Sequence, residues 1–116
     1  MSIKILVCGS RYHCDYQRIY NFLSAFDDAV IISGACRGAD TLAIRAAKEL
    51  GFTYREYPAN WAKYGKRAGV FRNQEMIDME HPDLVIAFHN DIEKSKGTKD
   101  MINRAKYHNI DTIVVS

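Results

Sequence analysis

AVIISGACRGADTLAIRAAKEL, residues 29–50, joins an apolar strand to a helix through a glycine-bearing turn. Ala29 to Ser33 is a continuous apolar run, which is typical of a strand buried on both faces, and Gly34 ends it. Ala39 to Leu50 is rich in alanine and leucine, and Gly51 provides a C-terminal stop for a helix. A strand followed directly by a helix is the unit from which parallel sheets are built.

The rest of the chain alternates strand and helix in the same way. Further strands are predicted at Ile3 to Cys8, Thr53 to Tyr57, Leu84 to Phe88 and Thr112 to Val115. Further helices are predicted at Tyr16 to Ala25, after the candidate N-cap Asp15, at Ala68 to Met79 and at Gly97 to Tyr107. We therefore expect an α/β fold, a Rossmann-like three-layer α/β/α sandwich with a five-stranded parallel sheet. Right-handed crossovers give the strand order 3-2-1-4-5.

Length and composition predict one domain over residues 1–116. The chain is 47% hydrophobic and 26% charged, the balance of a globular protein that folds in water. Its net charge of +2 is too small for a protein that coats nucleic acid, so no nucleic-acid partner is expected. The three cysteines have no disulfide-framework spacing, and no run is apolar enough for a membrane helix, which together favour the cytoplasm. The small size of the chain favours a homodimer.

Three polar turns follow three of the predicted strands. They are Gly9-Ser10-Arg11, the segment from Gly34 to Thr41, and the loop from His89 to Thr98, and all three carry glycine, hydroxyl or basic residues. In a parallel sheet the carboxyl ends of the strands share one edge, and ligands bind there near the switch point, here between strands 1 and 4. We expect the three turns to line one cleft.

These turns have the composition of an anion site. Gly34 and Gly38 open the second helix and Gly97 opens the fourth, so that backbone N–H groups of two helix starts would face one ligand. Arg11 and Arg37 would add forked donors. Plainer interpretations stay open, because a glycine after a strand is often only a turn and an arginine is often only solvated. Asp40, similarly, is either a site residue or a cap of the second helix.

A second polar segment is AGVFRNQEM, residues 68–76. On a helix it places Arg72, Asn73 and Glu75 about one turn apart, which suits gripping a phosphate or a ribose, although a solvated helix face has the same pattern. Trp61 precedes it in a predicted loop over Pro58 to Lys66, where it would stack on a base or fill core space. The cysteines and histidines lack the paired spacing of a zinc site, so neither a metal nor a cofactor is predicted.

Four blocks in this order give the chain a resemblance to a known family. GSR at residues 9–11, SGACRGADTLA at 33–43, PANWAKYGKRAGVFRNQEM at 58–76 and SKGTKDMINRA at 95–105 resemble the YspA/YpsA-related branch of the SLOG superfamily. The resemblance spans nearly the whole chain. It implies a compact Rossmann-type domain that senses or processes nucleotide-derived ligands, including ADP-ribose-like molecules.

The wider superfamily includes the Lonely Guy phosphoribohydrolases, which cleave the base from a nucleoside 5′-monophosphate. Their PGGxGTxxE block resembles the segment from Ser95 to Met101, and Gly97 and Thr98 match its GT pair. The catalytic glutamate of that motif falls on Met101, which is neither an acid nor a base. Their Arg-Lys pair is here Arg72-Asn73, so that only the arginine carries over. Both departures favour a binder over an enzyme of that type.

The sequence thus predicts a site that binds a phosphate-bearing nucleotide or nucleoside derivative, either ADP-ribose-like or a nucleoside monophosphate. The alternative is an N-glycosidic-bond hydrolase or transferase, with Asp40 and Glu75 as candidate carboxylates. A third hypothesis, a domain that mainly binds another protein or nucleic acid, has less support. The predicted ligand-binding residues are Gly9, Ser10, Arg11, Gly34, Arg37, Gly38, Asp40, Arg72, Asn73, Ser95, Gly97 and Thr98.

Overall fold

A computed structural model describes residues 2–116 as a five-stranded parallel sheet with helices on both faces. The strand order is β3-β2-β1-β4-β5, which confirms the predicted order and the Rossmann-like architecture. The strands are β1 (Ile3–Gly9), β2 (Ala29–Ser33), β3 (Thr53–Glu56), β4 (Leu84–Phe88) and β5 (Asp111–Val115). The helices are α1 (Tyr16–Leu23), α2 (Ala39–Leu50), α3 (Trp61–Tyr64), α4 (Ala68–Glu80) and α5 (Lys96–Tyr107).

The central strand β1 is buried on both faces, which is why its sequence is apolar without alternation. Ile5 and Val7 pack in a core cluster with α1 and α2. Leu6, between them in sequence, points to the opposite face and packs in a second cluster with Met76 of α4 and Met101 of α5. The two clusters therefore form one hydrophobic layer on each side of the sheet.

The register of the sheet brings the carboxyl ends of three strands together. Val7 pairs with Ser33 of β2 and with Ile86 of β4, and Gly9 pairs with Phe88 at the end of β4. The chain leaves β1 and β4 towards opposite faces of the sheet, since α1, which follows β1, packs on one face and α5, which follows β4, packs on the other. The crevice between these two strand ends is the switch point at which ligands bind in folds of this kind.

Capping side chains explain where two of the helices begin. The Asp15 carboxylate accepts a hydrogen bond from the Arg18 N–H at 3.1 Å, which confirms Asp15 as the N-cap of α1. Ser95 caps α5 by accepting from the Thr98 N–H at 3.0 Å, so that α5 begins at Lys96, one residue before the predicted start. Both contacts satisfy N–H groups that a helix itself leaves without an acceptor.

The segment between β3 and α4 is more ordered than predicted. Instead of a loop over Pro58 to Lys66, it contains the short helix α3 and a 3₁₀ turn at Gly65–Arg67. The Asn60 side chain caps α3 by accepting from the Lys63 N–H at 3.1 Å. A helix of four residues leaves no periodic pattern in a sequence, which is why the composition alone predicted a loop. In residues 2–116 no helix is long and apolar enough to span a membrane.

Candidate functional site

A cavity of about 310 Å³ opens at the carboxyl edge of the sheet, between the ends of β1 and β4. We call it the inner cavity. Its walls come from the turns after β1 and β2, from α4, and from the loop that leads into α5. Its lining includes ten of the twelve predicted ligand-binding residues: Gly9, Ser10, Arg11, Gly34, Asp40, Arg72, Asn73, Ser95, Gly97 and Thr98.

Two glycines let the turns after β1 and β2 touch at the floor of the cavity. Gly9 has a φ of 153°, and a Cβ there would collide with the Phe88 carbonyl oxygen. Gly38 has a φ of 83°, and a Cβ there would collide with the carbonyl groups of Ser10 and Arg11. A side chain at Gly9 would push against the end of β4 and the start of α2, and one at Gly38 would force the turns after β1 and β2 apart, so glycine is required at both positions.

The N-terminus of α2 is largely satisfied by the protein itself. The Ala39 N–H donates to the Ser10 carbonyl at 3.0 Å, and the Thr41 N–H donates to the Cys36 carbonyl at 3.1 Å. We expected the N-termini of α2 and α5 both to offer free N–H donors to one ligand. At α2, hydrogen bonds within the protein leave fewer of these donors free. Gly38, rather than Asp40, occupies the N-cap position of this helix.

The N-terminus of α5 offers open donors to the cavity. The Ser95 hydroxyl satisfies only the Thr98 N–H, and the N–H groups of Lys96 and Gly97 have no acceptor within the helix. A Cβ added at Gly97 would meet no atom within 4 Å, so the backbone faces open space. Lys94 and Lys96 also line the cavity and add positive charge to the partial positive charge of the helix end.

Asp40 places a buried carboxyl group in the opposite wall. Its exposure is 7%, and its Oδ2 accepts a hydrogen bond from the Cys36 N–H at 3.2 Å. Burial raises the pKa of Asp40 to about 6, although the Cys36 N–H and the charge of Arg72 act in the opposite direction. This carboxyl group therefore changes charge close to neutral pH.

Arg72 and Asn73 connect the loops around the cavity to one another. Arg72 Nη1 donates to the carbonyl oxygens of Gly34 at 2.7 Å and Tyr57 at 3.3 Å, and its Nε donates to Asn73 Oδ1 at 3.1 Å. Asn73 Nδ2 in turn donates to the Gly97 carbonyl at 3.3 Å. Both residues line the cavity as predicted, but their hydrogen bonds in this structure are made to the protein.

Three predicted site residues do not line the inner cavity: Gly38, Arg37 and Glu75. The Arg37 guanidinium carbon lies 5.7 Å from the centre of the Tyr12 ring, on the outer side of the same rim. Glu75 is exposed and lines a separate cavity of about 540 Å³ beside Tyr64 and Phe71. Arg37 and Arg72 therefore do not point into one hollow, and the two candidate carboxylates, Asp40 and Glu75, do not share one.

Comparison with known proteins agrees with this architecture. Residues 3–64 match the model of the YspA, cpYpsA-related SLOG family. The chain is also 32% identical over 122 residues to the Gene 61 protein of Mycobacterium phage D29, an alignment that covers 95% of this chain and 94% of that protein. The chain belongs to this SLOG family.

A solved structure shows the same fold at low identity. DNA processing protein A (DprA) from Streptococcus pneumoniae superposes with a TM-score of 0.80 at 18% identity, over 99% of this chain. This chain spans 50% of the DprA chain. The likeness establishes the Rossmann-like fold of the SLOG domain.

Several residues that line the inner cavity of this SLOG domain were not predicted. Tyr12, His89, Lys94 and Lys96 stand in the same turns as predicted residues, and their position in those turns was the available signal. Cys8, Cys36, Met76 and Met101 also line the cavity, although the strand and helix patterns gave no reason to separate them from the core.

The Cys8 thiol at the wall of the inner cavity is held in its protonated form by its surroundings. Burial and the nearby Asp40 raise the pKa of the Cys8 thiol far above its usual value, so Cys8 remains protonated. Within residues 2–116, no group of three histidine, cysteine, aspartate or glutamate side chains is arranged to hold a metal ion.

Proposed function

We propose that the inner cavity binds a phosphate-bearing nucleotide or nucleoside derivative, with its phosphate at the N-terminus of α5. The observation that carries this proposal is the open backbone at Lys96 and Gly97, which offers N–H donors and a partial positive charge at a cavity wall. Membership of the SLOG family supports the nucleotide-related class of ligand.

Charge divides the cavity into two ends. Lys94, Lys96 and the start of α5 form a positive end, whereas the other end holds Asp40, a carboxylate above a pH of about 6 whose charge is partly offset by Arg72 and Arg11. A phosphate is repelled by Asp40 and attracted to α5, and ribose hydroxyl groups are suitable donors to the Asp40 carboxylate. The ligand would therefore lie with its phosphate at Gly97 and its sugar towards Asp40.

The size of the inner cavity fits a small ligand. At about 310 Å³ it lies at the lower end of the range of roughly 300–1,000 Å³ that ligand sites occupy. A ligand of the size of a nucleoside monophosphate suits that volume. A longer ligand must extend beyond the rim of the cavity.

The proposal is tested by thermal unfolding with a panel of adenine and guanine ligands. Each nucleoside 5′-monophosphate, each diphosphate and ADP-ribose is compared with the matching unphosphorylated nucleoside. At a hundredfold excess over its dissociation constant a ligand stabilises the folded state by about 2.7 kcal/mol, which raises the Tm of a domain of this size by on the order of 10 °C. If nucleosides act as strongly as nucleotides, or if no ligand acts, the proposal is wrong.

Two variants of nearly equal size isolate the role of α5. Gly97→Asp places a carboxylate at the start of the helix, where it stabilises the helix and repels a phosphate. Gly97→Asn adds a side chain of the same shape without the charge, and both side chains would enter open space. We expect Gly97→Asp to remain folded and to lose at least about tenfold more nucleotide affinity than Gly97→Asn, as measured by isothermal titration calorimetry. Equal losses would place the phosphate elsewhere.

A second candidate function follows from the Asp40 carboxyl group. A group whose pKa is about 6, buried at the wall of a ligand cavity, is suited to act as a general base near neutral pH. In hydrolysis of an N-glycosidic bond, Asp40 would take a proton from water as the water oxygen bonds to the anomeric carbon. The bond to the base breaks, and the base leaves with the electron pair and is then protonated by solvent.

Chromatography of nucleoside 5′-monophosphates incubated with the protein tests this candidate by the appearance of free base and ribose 5-phosphate. Hydrolysis should rise with pH through about 6, because Asp40 must be ionised, and Asp40→Asn should lower the rate about 10²–10⁴-fold. Nucleotide binding without release of base from any substrate would identify the protein as a binder. Glu75→Gln is the control, since Glu75 lies outside the inner cavity.

A further inference from the structure

A further cavity, of about 420 Å³ and distinct from the one beside Glu75, adjoins the inner cavity at its rim, and we call it the outer cavity. Arg11, Cys36, Arg37 and Trp61 line it, and two of these, Arg11 and Cys36, also line the inner cavity. The two cavities are therefore neighbours across the turns after β1 and β2. A ligand too long for the inner cavity would leave it on this side.

One exposed aromatic ring, that of Trp61, lines the outer cavity, and a second, that of Tyr12, lines the neighbouring inner cavity. Trp61 is 50% exposed, although its position is fixed by the capped helix α3 and by contact with the start of α4, where a Cβ added at Gly69 would lie 3.5 Å from the indole. Tyr12 is 82% exposed at the adjoining turn. Exposed aromatic side chains on ordered supports offer a free face for stacking, which is the way proteins bind nucleobases without a deep pocket.

Within the described residues, two arginines of the outer cavity are not held in ion pairs, although Arg11 is near enough to Asp40 for its charge to oppose the rise in pKa that burial causes at that carboxyl group. Neither Arg11 nor Arg37 forms an ion pair with a carboxylate anywhere in the part of the chain from Ser2 to Ser116. Arg37 instead stacks on Tyr12. Unpaired guanidinium groups beside exposed rings form the combination that binds the phosphates and the bases of nucleotides together.

We propose that the ligand of this domain is a dinucleotide, two nucleosides joined through phosphate, whose second base stacks on Trp61 in the outer cavity. This inference rests on the proposed function, since the first nucleotide occupies the inner cavity. Arg11, which lines both cavities, binds the bridging phosphate. Arg37, which lines only the outer cavity, contacts the second nucleotide. Tyr12 lines the inner cavity and contacts Arg37 of the outer one.

The only tryptophan of the chain makes the test direct, because its fluorescence reports on one position. Titrations compare adenosine 5′-monophosphate with diadenosine diphosphate and with the 3′,5′-linked dinucleotide of adenosine. We expect the better dinucleotide to bind about 5–100-fold more tightly than the mononucleotide and to quench Trp61, as expected for one stacked base. The mononucleotide should leave the fluorescence largely unchanged.

Variants separate this inference from the proposed function. Trp61→Ala should remove the advantage of the dinucleotide and leave mononucleotide affinity, measured by calorimetry, within about twofold, whereas Trp61→Phe should keep most of the advantage. Tyr107→Ala is the control, because Tyr107 is also an exposed aromatic residue but lies at the C-terminal end of α5, outside both cavities. Mononucleotide binding without any dinucleotide advantage overturns the outer subsite alone, and failure of every nucleotide to bind overturns the proposed function itself.

A further titration identifies the source of the second base. A short single-stranded oligonucleotide that ends in the same two nucleotides is compared with the free dinucleotide in wild type and in Trp61→Ala. Equal affinity and equal loss in the variant would identify a strand end as the ligand, and weaker binding of the oligonucleotide would identify a free dinucleotide. Tight binding of the oligonucleotide that is unaffected by Trp61→Ala would contradict stacking at this position.

Discussion

At the scale of a single residue, Asp40 lowers the stability of the folded domain at neutral pH. Its pKa in the folded state is about 6, above the usual value of 3.8, because burial disfavours the charged form. Between these two pH values the folded state binds more protons at this site than the unfolded state does. Folding stability from this group is therefore highest at acid pH and falls as the pH rises through the window from 3.8 to about 6.

Asp40→Asn should remove this cost while keeping an oxygen that can accept from the Cys36 N–H. The rise of the Asp40 pKa from 3.8 to about 6 corresponds to about 3 kcal/mol. The free energy of unfolding of the variant should therefore exceed that of wild type by up to about 3 kcal/mol at pH 7 and differ little from it at pH 4. Urea denaturation at the two pH values measures it. Asp27→Asn, at an exposed carboxylate, is the control, and a variant destabilised equally at both pH values would contradict the assignment.

At the scale of elements, Arg72 of α4 holds the turns after β2 and β3 in place. Its guanidinium group bridges the carbonyls of Gly34 and Tyr57, and Gly34 has no room for a Cβ because the guanidinium group occupies that space. A planar fork with several donors makes this arrangement, and a lysine ammonium on its longer, flexible stem does not reproduce it. One helix therefore organises two loops that face the site.

Arg72→Lys should consequently destabilise the domain by about 1–3 kcal/mol, the cost of leaving partly buried carbonyl groups without donors. Chemical denaturation measures the change in the free energy of unfolding. Arg67→Lys is the matched control, since Arg67 is exposed in the 3₁₀ turn just before α4 and should change stability by less than about 0.5 kcal/mol. A loss no greater than that of the control would show that the bridge contributes little.

At the scale of the whole molecule, the fold was predictable because buried parallel strands are continuous apolar runs. Each of the five predicted strands is present, with ends that differ from the prediction by at most one residue, although β3 is exposed and was predicted from a weak alternation rather than from an apolar run. Their order follows from the handedness of crossovers. The single-domain organisation, the homodimer and the cytoplasmic compartment stay predictions. The helix α3 was missed, since Asn60 and four following residues carry no period.

The site was less predictable than the fold because side-chain direction depends on distant partners. Three turns at one edge were foreseen from the strand ends, and they do line one cavity. The sequence did not show that Arg72 would donate to carbonyls 15 and 38 residues away, or that Arg37 would turn outwards onto Tyr12. A helix pattern likewise did not show that Glu75 would face a different cavity from Asp40.

Of the three free thiols around the site, Cys14 is exposed and the other two are partly buried. Cys14 is exposed in the turn after β1, Cys36 is partly covered where the two cavities adjoin, and Cys8 lies at the end of β1 with a thiol that stays protonated. An alkylating dye should therefore attach to Cys14 first. The native chain thus carries an attachment point for a fluorophore two residues from Tyr12, and energy transfer from Trp61 to it can report the distance between the turn after β1 and α3 without any engineered cysteine.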